Sequence, residues 1–173
     1  MTATVGSHLN QVDLAAVGAL VQAVSEQPEK AATTWGAEVR WTGAFKSEAT
    51  VRDFAPMPSD EPKGMGGNNA APNPVEQLLA ALGNCLAVGY AANATVAGIE
   101  IKELTIKVEG DIDMHSFLGL KEGHAGFSGI RTVVDLKADA DPAAIEALHR
   151  RVEGSSPVGH TISAAVPITF TAT

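Results

Sequence analysis

The chain has 173 residues, 45% of them hydrophobic, a single cysteine and a formal net charge of −8. That length suits one domain with a sizeable core, and the acidic balance argues against a nucleic-acid surface. One cysteine excludes an internal disulfide framework and any CxxC metal or redox motif, which points to a reducing, cytoplasmic setting. Met1-Thr2-Ala3-Thr4-Val5-Gly6 lacks the charged and apolar regions of a signal peptide.

In chain order, Asn10 to Ser25 places Leu14, Val17, Val21 and Val24 on one stripe, with Asn10 as the cap and Pro28 enforcing the end. This predicts an amphipathic packing helix that carries no catalytic group. After a linker from Gln27 to Thr34, Glu38 to Thr42 and Ala49 to Phe54 alternate apolar and polar residues, and Gly43 to Lys46 can turn the chain between them. The reading is an antiparallel hairpin carrying Arg40, Lys46 and Arg52. Ala55 to Pro72, punctuated by Pro56, Pro58, Pro62 and Pro72 and by Gly64, Gly66 and Gly67, reads as a long irregular loop, taken as a lid.

The stretch from Asn73 to Gly98 organises the rest. Asn73 is a strong N-cap, Pro74 suits the first helical position, and Glu76 falls where a capping-box carboxylate reaches back. Its body, Leu78 to Ala92, is apolar or small on every face, with Cys85 near the middle and Gly98 as a left-handed stop. Such a helix is expected to be buried all round. A membrane span competes, but Asn84 and Asn93 interrupt the segment and no Lys/Arg clusters flank it, so no membrane partner is expected.

Beyond it, Leu104 to Ile112 and Ile130 to Leu136 read as two antiparallel strands joined by a wide connection, Asp113 to Ser128, whose Phe117, Leu118 and Leu120 tuck into the core or wall a pocket. Asp141-Pro142 starts a helix through Ile145, Leu148 and Val152 to Gly154. Ser156-Pro157 repeats the device for a short helix, and Val166 to Thr171 closes the chain as an edge strand because of Pro167. Strands and helices intermingle as α+β, without βαβ alternation or an internal repeat.

Neither GxGxxG nor GxxxxGK[ST] occurs, so no nucleotide cofactor is expected. His8, His115, His124, His149 and His160 lack paired-ligand spacing, so no metal is expected. Gly154-Ser155-Ser156-Pro157 misses the GxSxG spacing of a nucleophile elbow, and the cap reading of Ser156 is preferred. A thiol remains, and a reactive one needs a neighbouring cation or oriented donors. The hairpin cations are candidates for that role.

Pro72 to Cys85, followed by Val108-Glu109-Gly110-Asp111-Ile112-Asp113, Phe117-Leu118-Gly119-Leu120 and Ser156-Pro157-Val158, resembles the osmotically inducible protein C and organic hydroperoxide resistance (OsmC/Ohr) family. The resemblance covers roughly Glu38 to Thr171 and implies an OsmC-like α+β fold with antiparallel sheets around a long buried central helix, in an intertwined homodimer with sites at the interface. It divides the chain into an N-terminal helical extension, 1–34, and an OsmC-like domain, 35–173.

In the family's peroxidases a cysteine on the central helix attacks an organic hydroperoxide, and a second cysteine captures the sulfenic acid before dithiols reduce it. Cys85 matches the first position, whereas Ser156 stands at the second, so the intramolecular disulfide cycle is unavailable. The family's helix-start glutamate lies ten residues before the cysteine, where this chain has Val75. Glu76 lies nine before, roughly two and a half turns, and points away from Cys85 on a regular helix. The family's glycine-rich arginine motif is missing, which leaves Arg40, Lys46 and Arg52 unranked.

Two functions are therefore expected. One is an OsmC-like stress-response enzyme, a one-cysteine organic hydroperoxide reductase whose Cys85 is recycled by an external thiol. The alternative is a non-catalytic protein binding a small hydrophobic ligand at the dimer interface, against Phe117, Leu118 and Leu120.

Overall fold

The computed structural model describes residues 8–172, so the reading of Met1 to Gly6 lies outside the described residues. The chain forms two compact units: Ala15–Leu78 is one, and the described residues of 1–14 together with 79–172 form the other.

Helix α2, Pro74–Val96, begins where its cap residues place it. The Asn73 Oδ1 accepts the Glu76 N–H at 3.0 Å, and Glu76 Oε2 accepts the Asn73 N–H at 2.8 Å, a complete capping box. At the far end Gly98 takes φ +71°, its N–H donates to Thr95 O at 3.1 Å, and the Ile99 N–H donates to Ala94 O at 2.8 Å. This Schellman pair satisfies carbonyls that the helix leaves open, and it brings buried Ile99 onto the core beside Ala94.

The expectation of burial on every face is corrected for a single chain. Leu82, Leu86, Tyr90 and Ala94, spaced by four, are buried, while Val88 and Val96 on another face are exposed. By length and composition α2 could also cross a membrane. Its buried stripe instead joins Ile99, Leu148 and Val152 in the core of this unit, where each large apolar side chain contributes about 1.5 to 3 kcal/mol.

Strands β4, Ile101–Ile112, and β5, Phe127–Ala138, pair antiparallel with Leu104 opposite Leu136 and Ile106 opposite Val134. Both are longer than the alternating runs predicted for them. Leu104, Ile106, Val108, Val134 and Leu136 pack against the α2 core from one side of this ribbon. Within the connection, Asp113 accepts the His115 N–H and caps a single turn, α3, Met114–Phe117. Helix α4, Pro142–Glu153, is capped by Asp141, and α5, Pro157–Ser163, by Ser156.

Asn10 is not a helix cap. It sits at φ 53°, donates through Nδ2 to Thr95 Oγ1 and Ile99 O, and accepts the Ile101 N–H at 2.8 Å. One amide side chain thus ties the first described residues to the junction of α2 and β4. Helix α1 itself, Leu14–Glu26, buries no residue in this chain, so the expected packing stripe of Leu14, Val17 and Val21 is exposed. Val166 to Thr171 forms no strand either. It pairs with no strand among the described residues, and Val166, Ile168 and Phe170 are exposed.

In the other unit, β1, Glu38–Gly43, and β2, Lys46–Thr50, form the expected hairpin, but the second strand starts earlier and ends sooner than predicted. Ala44, at φ 52°, and Phe45 make the turn, with Gly43 opposite Lys46, so Lys46 belongs to the strand and Arg52, at φ 51°, to the turn after it. The segment read as an open lid contains β3, Met57–Ser59, paired antiparallel with β2. Its remainder is tied down by Asp60, 1% exposed, whose Oδ1 accepts the Glu61 N–H and whose Oδ2 accepts those of Asn68 and Ala70, at 2.9 to 3.1 Å. A buried carboxylate stripped of water needs such donors, and the chain folds around it to supply them.

Candidate functional site

Cys85 lies near the middle of α2, and helix periodicity decides what shares its face. Val88, Gly89, Ala92 and Asn93 follow at three, four, seven and eight positions and line one wall of an open groove with Asn84. The other wall is the α4–α5 elbow, Val152, Ser155, Ser156 and Pro157. The groove encloses about 480 Å³, and no charged side chain lines it.

Two contacts set the spacing of these walls. A Cβ on Gly89 would stand 3.1 Å from Val152 Cγ1, so the glycine allows α4 to approach α2 that closely. Beside it, Tyr90 on α2 and His149, one turn before Val152 on α4, form a hydrogen bond at 2.6 Å between the phenol oxygen and Nδ1, with the rings edge to face. Burial, reinforced by the charge of Glu153, raises the pKa of Tyr90 above its ordinary value.

The elbow brings Ser156 to Cys85 across 71 positions of sequence. The Ser156 Oγ donates to Cys85 Sγ at 3.2 Å and accepts the Gly159 N–H at 3.1 Å as the cap of α5. Ser156 is 5% exposed, whereas Cys85 is partly exposed and borders the groove. The hydroxyl therefore occupies the place from which a second thiol could reach the first.

The other sequence candidates have different surroundings. Arg40 on β1 is exposed and bonded to Glu48 across the hairpin at 3.0 Å. The Arg52 guanidinium lies 4.6 Å from the centre of the Phe54 ring, a cation–π contact. Lys46 opens β2. All three belong to the unit that does not contain Cys85. Glu76 is held by its capping hydrogen bond, the role that its place at the helix start favours.

Phe117, Leu118 and Leu120 are exposed and do not line this groove, whose apolar wall is made by Val88, Ala92, Val152 and Pro157. Within the Cys85 unit, Lys102, Arg131, Lys137 and Arg150 are paired with carboxylates at the surface. No group of histidines, cysteines and carboxylates among the described residues could hold a metal ion. The groove residues were missed in the sequence although their spacing from Cys85 was visible. Tyr90 with His149 carried no local signal at all.

Comparison with known proteins places this geometry in a family. The model of the family described as OsmC-like protein matches residues 66–171, and no curated protein matches the chain. Among solved structures, an OsmC-like protein from Mycoplasma pneumoniae is similar with a TM-score of 0.65 at 17% identity, covering 75% of this chain and 87% of its own. An organic hydroperoxide resistance protein OsmC from Legionella pneumophila aligns with a TM-score of 0.59 at 16% identity, over 76% of this chain and 92% of its own. An organic hydroperoxide resistance protein from Elizabethkingia anophelis gives 0.56 at 18% identity, over 76% and 89%. At these identities the structures speak for the fold. With the family pattern running through α2, the β4–β5 ribbon and the α4–α5 elbow, the chain belongs to the OsmC-like protein family.

Proposed function

We propose that this chain is a one-cysteine, thiol-dependent reductase of organic hydroperoxides, with Cys85 as its catalytic residue. The observation that carries the reading is a partly exposed Cys85 sulfur bordering an open, uncharged groove, with a hydroxyl where a second thiol would stand. In the first step the sulfur attacks the outer oxygen of the peroxide. The O–O bond breaks, an S–O bond forms, and Cys85–SH plus ROOH become Cys85–SOH plus ROH.

Ser156 has no thiol with which to displace water from the sulfenic acid, so an external thiol performs the next step. Cys85–SOH plus R′SH give the mixed disulfide and water, and a second R′SH releases Cys85–SH and R′SSR′. The walls formed by Val88, Ala92, Val152 and Pro157 suit an apolar R group. A reducing, cytoplasmic compartment supplies both the thiol and a reduced Cys85.

The reading includes a homodimer. Val39, Trp41, Ala49 and Met57 share one face of the β1–β2–β3 sheet by register, and Val39, Trp41 and Met57 are exposed, as are Val88 and Val96 on α2. A second copy burying these faces would supply the cover that one chain does not, and could bring a cation to Cys85. Sedimentation should give twice the chain mass; a monomer at micromolar concentration removes this part.

The test of the reaction is intact mass after exposure to cumene hydroperoxide, followed by turnover with an added dithiol. Wild type should gain one oxygen at Cys85 and consume peroxide, and Cys85→Ser should do neither. A reduced, accessible Cys85 that survives excess peroxide unchanged would defeat the proposal.

A second reading keeps the groove as a binding site for a small hydrophobic ligand, and its specific support is the absence of any charged side chain from the lining. Native mass spectrometry of freshly purified protein separates the two, because only this reading expects a retained apolar molecule together with an inert thiol.

A further inference from the structure

We infer that Ser156 is a positioning residue for Cys85, holding the sulfur so that its open side faces the groove. The chemical consequence rests on the peroxidase reading above, whereas the positioning itself rests on geometry. Ser156 is nearly sealed, and its oxygen accepts the Gly159 N–H. A serine hydroxyl has one proton, and with the oxygen tied to the α5 backbone that proton is directed at Cys85 Sγ.

The elbow gives the hydroxyl little freedom to follow a moving sulfur. Pro157 restricts the backbone at the start of α5. The Gly154 N–H donates to Arg150 O, the Ser155 N–H donates to Val152 O, and His160 Nε2 bonds Gly154 O at 3.0 Å. Val152 against Gly89 and His149 against Tyr90 hold the preceding helix to α2. The flexible partner in the pair is therefore the thiol, and the fixed one is the hydroxyl.

Three consequences follow for the reaction. The negative charge of the reacting thiolate meets a donor already in place. The sulfur is blocked on the Ser156 side, so peroxide and the later thiol both approach from the groove. At Ser156 the sulfenic acid meets a hydroxyl and not a thiol, and it persists until an outside thiol enters.

The experiment measures Cys85 alkylation by iodoacetamide and its oxidation by cumene hydroperoxide in wild type, Ser156→Ala and Ser156→Thr. Asp141→Ala serves as a control that removes a helix cap elsewhere. Ser156→Ala should slow both reactions about fivefold, the factor carried by one ordinary hydrogen bond, while Ser156→Thr stays within about twofold of wild type. Asp141→Ala should leave both rates unchanged despite its lost stability.

Wild-type alkylation rates in Ser156→Ala overturn the inference, as does an equal slowing in Asp141→Ala. A folded Ser156→Thr that behaves like Ser156→Ala overturns it too, and if that variant does not fold, the comparison of the two alanine variants decides. Normal alkylation with no peroxide oxidation in wild type removes the peroxidase reading alone, leaving the iodoacetamide rates to judge Ser156.

Discussion

Tyr90 and His149 lock α2 to α4 through a 2.6 Å hydrogen bond and an edge-to-face contact with ring centres 5.5 Å apart. Losing the phenol oxygen leaves the imidazole nitrogen without its partner. Tyr90→Phe should therefore cost about 1 to 2 kcal/mol. The pH dependence has a definite sign. Burial, with Glu153, holds the phenolic proton more tightly in the folded chain than in the unfolded one. The stabilisation is thus complete below the ordinary value of 10.0 and declines as pH rises through the raised one. Urea midpoints for wild type and Tyr90→Phe should differ at pH 8 and converge in strong base; a constant gap at every pH contradicts the assignment.

Gly89 and Val152 make a pair whose mutational signs oppose each other. Alanine normally favours a helix over glycine by about 1 kcal/mol. Here the new methyl would stand 3.1 Å from the Cγ1 of Val152, a core side chain that is 1% exposed. Overpacking of this kind costs about 1 to 3 kcal/mol, so Gly89→Ala should destabilise wild type. In a Val152→Ala background the same change should stabilise. A double-mutant cycle by urea unfolding would expose the coupling, and additive effects would mean that the helices are not in contact there.

Asp60 is the organising charge of the segment after β2. Asp60→Ala should cost about 3 kcal/mol, because three backbone N–H groups would lose their acceptor in a buried place. Asp60→Asn retains the shape but turns two donors toward donors, and should recover only part of the loss. Limited proteolysis offers a local readout: cleavage between residues 60 and 70 should accelerate in both variants, and unchanged cutting would show that the carboxylate is dispensable.

Ser156→Cys converts the hydroxyl contact into a test of reach. The Oγ to Sγ distance of 3.2 Å is long for a disulfide, which needs about 2.05 Å between sulfurs, but the longer C–S bond closes part of the difference. After one equivalent of cumene hydroperoxide this variant should lose about 2 Da as Cys85 and the introduced thiol join, and turnover with dithiol should rise. A stable sulfenic acid that never yields the internal disulfide would mean the elbow is too rigid to bring the sulfurs together.

Features governed by neighbours along the chain were legible in the sequence. The Asn73–Glu76 capping box, the Gly98 stop, the Asp141-Pro142 and Ser156-Pro157 starts, and the alternation of Leu104 to Ile112 all depend on hydrogen bonds or periodicities spanning a few residues. The family resemblance, carried by the same local pieces in order, held for the same reason. Errors arose where a local signal had a distant competitor. Asn10 read as a cap because asparagine caps helices, yet Thr95, Ile99 and Ile101 offer its side chain more bonds than a helix start would. Val166 to Thr171 alternates like a strand, but a strand is completed by a ladder, and the segment pairs with none among the described residues.

Composition and spacing by themselves determined that there is one thiol and that it rides on a long apolar helix, and the family resemblance implied that the Ser156 hydroxyl stands where a second cysteine would. Only the tertiary structure decided that this hydroxyl touches the sulfur, that Val88 to Asn93 and the α4–α5 elbow make the groove, and that Phe117, Leu118 and Leu120 do not. The physical reason is range. Caps and turns are settled within a few residues, whereas Ser156 reaches Cys85 only after the β4–β5 ribbon, Gly89 and Tyr90 have set where α4 lies.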